Sequence, residues 1–443
     1  MKKRRQRIPA EPIEVTITDL SHDGRGIARH NDKVVFVQNA LPGETVLAKL
    51  NRRTRNFDEA VAENITNPSA DRVSPACEFY QVCNGCTMMH ISDDKQIEFK
   101  FNTLKSNLTK MGQIAPKDWL PPLSDQHWNY RRRARLSVKW VTGKDKVLVG
   151  FREKNGRFVA DMTDCLVLEK PLAKLIQPLQ VLIEKMTIKS QIPQIECAMS
   201  DDSVALIMRH MRDLTEADLL LVKEFADQHQ LQMFLQSKGP KTIKPIVADY
   251  PPLAFSLTEQ NLRYEFLPND FIQVNRRMNE KMVAQVLAHM NLTKDSKVLD
   301  LFCGLGNFTL PIAQNCAEVV GVEGDHQLVE RAIHNAHLNK LNNTEFFVAD
   351  LTKDHSQSEW FKKHYTHVLI DPPRSGAWEV LPLIAETEAQ TLVYVSCHPG
   401  SLARDTERLV HELGFTLECA GVMDMFPHTS HVESMAVFSR KIS

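Results

Sequence analysis

The chain has 443 residues, more than one ordinary domain holds, so two or three domains are expected. Its net charge of -1 excludes a polycation, and its hydrophobic content of 43% is enough for well-filled cores. No apolar stretch has the length of a membrane span, and none follows the basic N-terminal residues as in a secretory signal. Nine cysteines, an odd number, favour a reducing compartment over a disulfide framework. We therefore expect a cytoplasmic protein that does not contact a membrane.

Basic side chains cluster in two places although the total charge is close to zero. Such clusters bind phosphates, but they also occur as solubilising tails and as solvated strand edges with salt bridges. Both interpretations stay open for the two clusters, which are Lys2, Lys3, Arg4, Arg5 and Arg7 at the N-terminus and Arg131, Arg132, Arg133 and Arg135 further along.

The first region, residues 1–66, has the pattern of a small β-barrel. Short strands with apolar alternation are predicted over residues 14–20, 33–37, 45–50 and 57–62, with glycine turns between them. Near-even spacing of this kind is typical of a closed barrel of the OB type, which often binds nucleic acid on one face. A β accessory domain without a ligand fits the same composition.

The second region, residues 67–268, mixes helices and strands without strict alternation and predicts an α+β domain. Helices are expected over residues 97–111, 172–186 and 215–230, and strands over residues 134–140, 147–151, 194–196 and 203–208.

The third region, residues 269–443, alternates strands and helices, which predicts a doubly wound parallel sheet. The expected strands are residues 297–301, 318–322, 344–348, 367–370, 392–395 and 435–439. The last of these, at the C-terminus, is expected at the edge of the sheet.

A cofactor loop follows the first strand of this sheet. Gly304 and Gly306 allow a sharp turn and a close approach to a ligand. Glu323 ends the second strand, where an acid binds ribose hydroxyls, and Asp350 ends the third, beside an expected adenine. Because Thr309 replaces the third glycine of a dinucleotide fingerprint, S-adenosylmethionine is the favoured cofactor.

A candidate nucleophile, Cys397, ends a later apolar strand of the same sheet, and the Asp-Pro-Pro-Arg loop at residues 371–374 ends the strand before it. The charge of His398 is expected to depress the pKa of the Cys397 thiol. Glu433, just before the last strand, is a candidate general base. The competing interpretations are a buried structural cysteine and a surface acid.

Three other cysteines of this region are expected to be buried and structural: Cys303, Cys316 and Cys419.

A compact cysteine cluster lies in the second region. Cys77, Cys83 and Cys86 are close in sequence, and Cys165 is the natural fourth ligand, since Cys197 falls inside an apolar strand. Four thiolates suit a tetrahedral zinc or an iron–sulfur cube, and the spacing leaves both open.

The combined motifs resemble the RNA 5-methyluridine methyltransferase family over nearly the whole chain. They are Leu-Phe-Cys-Gly-x-Gly-Asn-Phe at residues 301–308, Asp-Pro-Pro-Arg, Val-Ser-Cys-His-Pro at 395–399, His-x-Glu-Ser at 431–434 and Phe-Ile-Gln-Val-Asn at 271–275. The resemblance implies a multidomain α/β protein with three parts. These are an OB-type TRAM barrel (1–66), a central α+β domain with an iron–sulfur cluster (67–268) and a Rossmann-like S-adenosylmethionine methyltransferase domain (269–443).

For the site, the resemblance implies that the Cys397 thiolate adds to C6 of uracil, C5 takes the methyl group and Glu433 removes the C5 proton. It implies a [4Fe–4S] cluster on Cys77, Cys83, Cys86 and Cys165. Asp371 contacts either the cofactor or the uracil. The residues implied around S-adenosylmethionine are Gln273, Phe302, Asn307, Glu323, Asp350 and Asp371.

The barrel and the cysteine cluster together point to the branch that modifies 23S ribosomal RNA, at the uridine numbered 1939, which must leave its stack. The second basic cluster would contact phosphates, and any exposed aromatic side chains among Phe57, Trp128 and Tyr130 would stack on bases. A monomer is the default expectation. The alternatives are the same reaction on another ribosomal uridine or on tRNA, and a non-catalytic iron–sulfur protein that binds RNA.

Overall fold

The computed structural model describes residue 8, residues 10–154 and residues 156–440. The basic cluster at residues 2–7 lies outside the described residues. The chain divides into two compact units, the first formed by Met1–Thr103 with Phe426–His431 and the second by Leu104–Met425 with Val432–Ser443. Within the described part of the chain, no helix is both long and apolar enough to cross a membrane. The domain boundaries at residues 66 and 268 stay predictions.

The first unit contains a six-stranded barrel-like sheet with strand order β1-β5-β6-β4-β3-β2. Its strands are β1 (Ile13–Thr16), β2 (Asp19–Leu20), β3 (Gly26–His30), β4 (Lys33–Gln38), β5 (Thr45–Arg53) and β6 (Phe57–Ile65). Alternate residues such as Val35 and Val37 fill the core because successive strand side chains point to opposite faces. The strand predicted over residues 14–20 is two short strands, β1 and β2.

The segment after the barrel is held by a buried ion pair. Arg72 Nε lies 2.6 Å from Glu44 Oε1, and the Glu44 side chain has no exposed surface. The backbone N–H groups of Leu41 and Ser69 also donate to this carboxylate, at 2.7 and 3.0 Å. A buried charge with a partner and further donors avoids the cost of isolated burial. Helix α1 (Asp93–Ser106) follows, and a π-helix (Asn107–Met111) continues it, so the helix predicted over residues 97–111 starts earlier than expected.

In the second unit the π-helix is followed by the short strand β7 (Asp118–Trp119) and by a six-stranded mixed sheet with order β13-β12-β11-β10-β8-β9. Its strands are β8 (Arg133–Val141), β9 (Lys146–Gly150), β10 (Gln194–Met199), β11 (Val204–Arg209), β12 (Leu231–Gln236) and β13 (Ile243–Pro245). The hairpin β14 (Leu253–Leu257) and β15 (Leu262–Phe266) follows this sheet.

Three helices accompany that sheet: α2 (Lys170–Ala173), α3 (Ile176–Lys185) and α4 (Glu216–His229). The single helix predicted over residues 172–186 is therefore divided between α2 and α3. A capping box starts α4, because the Thr215 side chain accepts from the Asp218 N–H and the Asp218 carboxylate accepts from the Thr215 N–H.

An eight-stranded sheet completes the second unit, with order β18-β17-β16-β19-β20-β22-β21-β7. Its elements, besides β7, are α5 (Arg276–Met290), β16 (Lys297–Leu301), α6 (Thr309–Ala313), β17 (Glu318–Glu323), α7 (His326–Leu338), β18 (Thr344–Val348), β19 (His367–Ile370), α8 (Leu381–Glu386), β20 (Thr391–Ser396), α9 (Pro399–His411), β21 (Thr416–Met423) and β22 (Glu433–Ser439).

The five strands β16–β20 are parallel, as predicted for a doubly wound sheet. The prediction of a C-terminal edge strand is wrong. β22 runs antiparallel between β20 and β21, and β7 forms the edge beyond β21. The antiparallel insertion brings the start of β22 to the carboxyl end of β20, where ligands bind in sheets of this type.

Candidate active site

Cys397 and Glu433 face each other across two neighbouring strands. Cys397 directly follows β20, and Glu433 is the first residue of β22. The antiparallel register pairs Ser396 with Ser434, so the next position outward places Cys397 opposite Glu433. The Ser434 hydroxyl donates to the Ser396 carbonyl at 3.1 Å and fixes this register. A thiol and a carboxyl at one strand end are thus available to act on one substrate.

The thiol of Cys397 is not activated by its neighbour His398. Burial, with the carboxylates of Glu433 and Asp371, raises the pKa of Cys397 to about 11, against a smaller opposite effect of Arg374. His398 instead caps α9, because its Nδ1 accepts from the Ser401 N–H at 3.1 Å. The expectation that His398 depresses this pKa is therefore wrong; its Nδ1 lone pair is used by the helix cap.

Two buried acids flank the thiol. Glu433 is only 4% exposed, which rules out the surface-acid interpretation. Burial and the Asp371 carboxylate raise the pKa of Glu433 well above its usual value, while Arg374 acts in the opposite direction. Burial also raises the pKa of Asp371 to about 7. Groups that interact this strongly titrate as a pair, and buried acids with raised pKa values are typical of sites that transfer protons.

A cavity of about 320 Å³ lies at the carboxyl ends of β16, β17 and β19. Pockets of this size, with a partly aromatic lining, typically bind cofactors and small ligands. It is lined by Phe255, Phe271, Ile272, Gln273, Phe302, Cys303, Gly304, Leu305, Asn307, Phe308, Glu323, Leu328, Asp371 and Pro373. The lining includes five of the six predicted cofactor residues, and the sixth, Asp350, lies beyond it with an exposed side chain that is bonded to Thr352.

The loop after β16 turns sharply, as its glycines predict. Gly304 and Gly306 have φ of +56° and +94°, and a Cβ on Gly306 would lie 2.5 Å from Leu310 Cδ1. Phe302 has φ of +63°, which is uncommon for a large side chain and typical of functional loops. The Gly304 N–H donates to Glu323 Oε2 at 3.1 Å, so the loop and the acid are held together.

Asn307 is fixed by a partner that the sequence did not indicate. Asn307 and the buried Asn279 of α5 exchange two amide hydrogen bonds, each 2.9 Å long. Asp300, on β16 below the loop, accepts from the Thr309 hydroxyl at 2.5 Å, and burial with the nearby Asp371 and Glu323 raises its pKa to about 8. The cavity therefore has several acids beneath and beside it, which favours a ligand that carries positive charge.

The second basic cluster does not form a phosphate-binding row. Arg132 is 2% exposed, donates from Nε to the Gln273 carbonyl at 2.9 Å and stacks over Phe255 at 4.6 Å. It supports two cavity residues, and burial lowers its pKa to about 10. Arg133 Nη2 donates to the Asn269 carbonyl, and the exposed Arg135 pairs with Glu196. The phosphate prediction is wrong for Arg132. Tyr130 is buried, so it is not one of the exposed aromatic side chains that were expected to stack on bases.

The cysteine segment is a series of tight turns in the first unit. The Tyr80 N–H donates to the Cys77 carbonyl at 3.1 Å, and the Cys83 N–H donates to the Phe79 carbonyl at 2.7 Å. The Gly85 N–H donates to Cys83 Sγ at 3.3 Å, a bond that iron–sulfur thiolates commonly accept. Cys165 belongs to the second unit.

Among the described residues, no three His, Cys, Asp or Glu side chains are grouped to hold a metal ion. The chemistry of the four thiols fits a cluster, and the cluster stays a prediction.

The structure also reveals an acid that the sequence analysis missed. Asp405 is fully buried on α9 and accepts from the Tyr394 hydroxyl and the Ala377 N–H, both at 2.7 Å. A signal was present, because position 405 is in phase with the buried Leu402 and Leu409 of an amphipathic helix. The structural cysteines Cys303, Cys316 and Cys419 are buried as predicted.

The pKa of Cys397 predicts its reactivity. Because only the thiolate is alkylated, modification of Cys397 by iodoacetamide should rise about tenfold per pH unit from pH 7 to 10. Quantitative mass spectrometry of the Cys397 peptide measures this rate, with glutathione as the reference thiol. A rate that levels off below pH 8 would contradict the raised pKa and restore an activating role for His398.

Comparisons with known proteins agree with this architecture. The family model described as tRNA (Uracil-5-)-methyltransferase matches residues 92–441, and the TRAM domain model matches residues 9–62. Two similar proteins are both named 23S rRNA (uracil(1939)-C(5))-methyltransferase RlmD. The one from Xanthomonas axonopodis pv. citri (strain 306) is 48% identical over 444 residues, and the one from Stenotrophomonas maltophilia (strain R551-3) is 47% identical over 444 residues. Each alignment covers 100% of both chains.

A solved structure shares the fold. The Pyrococcus abyssi tRNA (uracil-54, C5)-methyltransferase, in complex with S-adenosyl-L-homocysteine, superposes with a TM-score of 0.75 and 24% identity, covering 96% of this chain and 99% of that chain. The expected TRAM domain, methyltransferase fold and enzyme class are confirmed. The chain belongs to the tRNA (uracil-5-)-methyltransferase family and carries a TRAM domain at its N-terminal end.

Proposed function

We propose that this protein transfers a methyl group from S-adenosylmethionine to C5 of uridine 1939 in 23S ribosomal RNA. The observation that carries the chemistry is Cys397 opposite Glu433, at the sheet edge that also holds the cofactor cavity. The support for the substrate is the name of the full-length relatives at 47–48% identity. The TRAM domain supports an RNA substrate.

The reaction needs a nucleophile because C5 of uracil does not attack a methyl donor unaided. Cys397 Sγ adds to C6, and the electron pair of the C5–C6 bond moves to C5 and O4 as an enolate. S-adenosylmethionine supplies the methyl group that C5 takes up. Glu433 then removes the C5 proton, the double bond re-forms and the C6–sulfur bond breaks. The thiolate of Cys397 is regenerated, Glu433 releases the proton to solvent and S-adenosylhomocysteine leaves, so neither residue is consumed.

The residues around the cavity are proposed to bind the cofactor and to orient the uracil. Glu323 ends β17, where an acid accepts from ribose hydroxyls, and Phe302, Asn307 and Gln273 line the same space. Asp371 lies between this space and Cys397, and it serves either the cofactor or the N3–H of the uracil. Asp350 completes the proposed cofactor set from the end of β18. The target base must be flipped out, because Cys397 is half-buried and cannot reach a stacked ring.

The substrate is tested with unmodified transcripts. The protein is incubated with methyl-labelled S-adenosylmethionine and either 23S RNA or tRNA, and nucleosides are then separated. We expect label in 5-methyluridine from 23S RNA, and none when uridine 1939 is replaced by cytidine. Label from tRNA alone would keep the chemistry and reject the ribosomal substrate. Absence of label from both, with RNA still bound, would favour a non-catalytic RNA-binding protein.

Variants separate the roles of the two facing residues. With RNA that contains 5-fluorouridine, the wild-type protein should form a covalent complex stable in denaturing gels, because fluorine blocks proton removal at C5. Cys397→Ala should abolish both methylation and this complex. Glu433→Gln should trap ordinary RNA, since methyl transfer proceeds and elimination stalls, with turnover reduced by roughly 10²- to 10⁴-fold.

The control is Cys316→Ala, which removes a buried thiol of the same unit away from the cavity lining and should leave both readouts intact. A covalent complex formed by Cys397→Ala would reject the nucleophile assignment.

We also propose that Cys77, Cys83, Cys86 and Cys165 hold a [4Fe–4S] cluster. Methyl transfer to uracil needs no electron transfer, so a cluster here would order the cysteine segment or position RNA. The all-thiol donor set and the amide bond to Cys83 Sγ support iron–sulfur ligation over oxygen-binding metals.

The cluster predicts a coloured protein. Anaerobically purified protein should absorb broadly near 400 nm and contain about four iron and four sulfide per chain. Cys83→Ala should lose this absorbance, whereas Cys197→Ala, which removes a buried thiol inside β10, should keep it. Colourless protein with one zinc per chain would show that the four thiols form a zinc site.

A further inference from the structure

The buried carboxylate of Asp405 joins three elements that meet at the reacting site. Its Oδ2 accepts from the Tyr394 hydroxyl on β20 and from the Ala377 N–H in the loop after β19, both at 2.7 Å. Its Oδ1 accepts from Arg404 Nε and Nη2 at 2.9 and 2.6 Å. A fully buried acid with four hydrogen-bond donors holds these elements rigidly together. Loss of any one bond would leave part of the carboxylate, or the donor, buried without a partner.

The loop held by Asp405 is residues 372–378, which connects Asp371 to α8. Arg404 Nη2 donates to the Ser375 carbonyl at 2.8 Å, and Arg408 Nη1 donates to the Trp378 carbonyl at 2.7 Å. Both guanidinium groups also lie over the Trp378 ring, at 5.2 and 4.3 Å. Helix α9 therefore holds the loop through Arg404, Asp405 and Arg408, which lie within two neighbouring turns, and the loop backbone has little freedom.

Gly376 shows how closely the loop approaches the helix. It has φ of +86°, which a side chain would strain, and it lies in the tight turn closed by its N–H to the Pro373 carbonyl at 2.9 Å. A Cβ at this position would lie 2.5 Å from Asp405 Oδ2 and 2.6 Å from Arg404 Nη2. Any larger residue at position 376 would therefore push the loop away from the Asp405 carboxylate.

The two segments that Asp405 connects, β20 and the loop at residues 372–378, both lead to the reacting site. Tyr394 lies three residues before Cys397 on β20, and the loop carries Arg374 next to Pro373, which lines the cofactor cavity. The charge of Arg374 lowers the pKa of both Cys397 and Glu433, whereas the neighbouring carboxylates raise these pKa values. Movement of the loop away from α9 would withdraw the Arg374 cation from the thiol while Glu433 on β22 remains.

We propose that Asp405 is a positioning residue of the reaction, which fixes the loop over α9 so that Arg374 stays within electrostatic reach of Cys397 and Glu433. Asp405 touches none of the reacting atoms and acts through Tyr394, Ala377 and Arg404. The inference rests on the assignment of Cys397 as nucleophile in the proposed function.

Asp405→Asn is the main test, because it keeps the shape and places an amide NH₂ against existing donors. We expect kcat to fall about 10- to 100-fold, with the KM for S-adenosylmethionine changed less than threefold. The pH profile of Cys397 alkylation should shift to higher pH, so that the rate at pH 8.5 falls at least threefold. Gly376→Ala should shift the profile in the same direction from the other side of the contact, and Tyr394→Phe should have a smaller effect.

Asp218→Asn is the matched control. Asp218 is also fully buried and accepts four hydrogen bonds, from Thr187 and Thr215, but it lies at the start of α4 beside the other sheet. It should lower stability without changing kcat or the alkylation profile. All rates are taken below the unfolding midpoint of each variant.

Two outcomes would overturn the proposal. One is a wild-type alkylation profile in both folded Asp405→Asn and folded Gly376→Ala. The other is an equal loss in Asp218→Asn, which would make the effect one of general stability. The alkylation profile needs no RNA, so it tests Asp405 even if the proposed substrate proves wrong, and a failure to methylate 23S RNA is read separately.

Discussion

Burial of acids at the carboxyl edge of the eight-stranded sheet is the constraint on which the active site depends. Asp300, Asp371 and Glu433 lose water there, and each has a raised pKa for that reason first. Carboxylates in such a place repel one another, so the site favours positive charge nearby. Arg374 lowers the pKa of Cys397 and of Glu433, and the proposed cofactor brings a further positive charge as its sulfonium. On this view the ligand charge itself lowers the pKa of Glu433 toward the range in which a carboxylate abstracts a proton.

The sheet topology brings these buried acids together with the nucleophile and the cofactor cavity. Inserting β22 between β20 and β21 sets Glu433 opposite Cys397, and parallel β16, β17 and β19 direct the cofactor loop, Glu323 and Asp371 toward one cavity. Burial and the neighbouring carboxylates raise the pKa of Cys397 to about 11, so a positive charge that enters with the cofactor would increase the fraction of thiolate. A thiol with a raised pKa is alkylated and oxidised more slowly between turnovers.

Much of this site could be predicted from residue order, because motifs at strand ends converge in a parallel sheet. Cys397, Asp371, Glu323 and the glycine loop were all placed at the correct edge from sequence. The facing of Cys397 and Glu433 could not be predicted, since it depends on the antiparallel pairing of β22 with β20, which local sequence does not specify. The roles of Arg132 and His398 could not be predicted from their charge alone. In the structure Arg132 is buried and bonded to the cavity residue Gln273, and His398 caps a helix. Long-range contacts such as Asn279 with Asn307 leave no signal in local sequence.

The central claim is that addition of Cys397 to C6 makes C5 nucleophilic and that the C5 proton is then removed. The most direct test is a 23S RNA fragment that carries tritium on C5 of the target uridine. We expect one tritium released to water for each methyl group incorporated, and neither event in Cys397→Ser. Methylation with tritium retained on the nucleoside, or release and methylation undiminished in Cys397→Ser, would contradict the account.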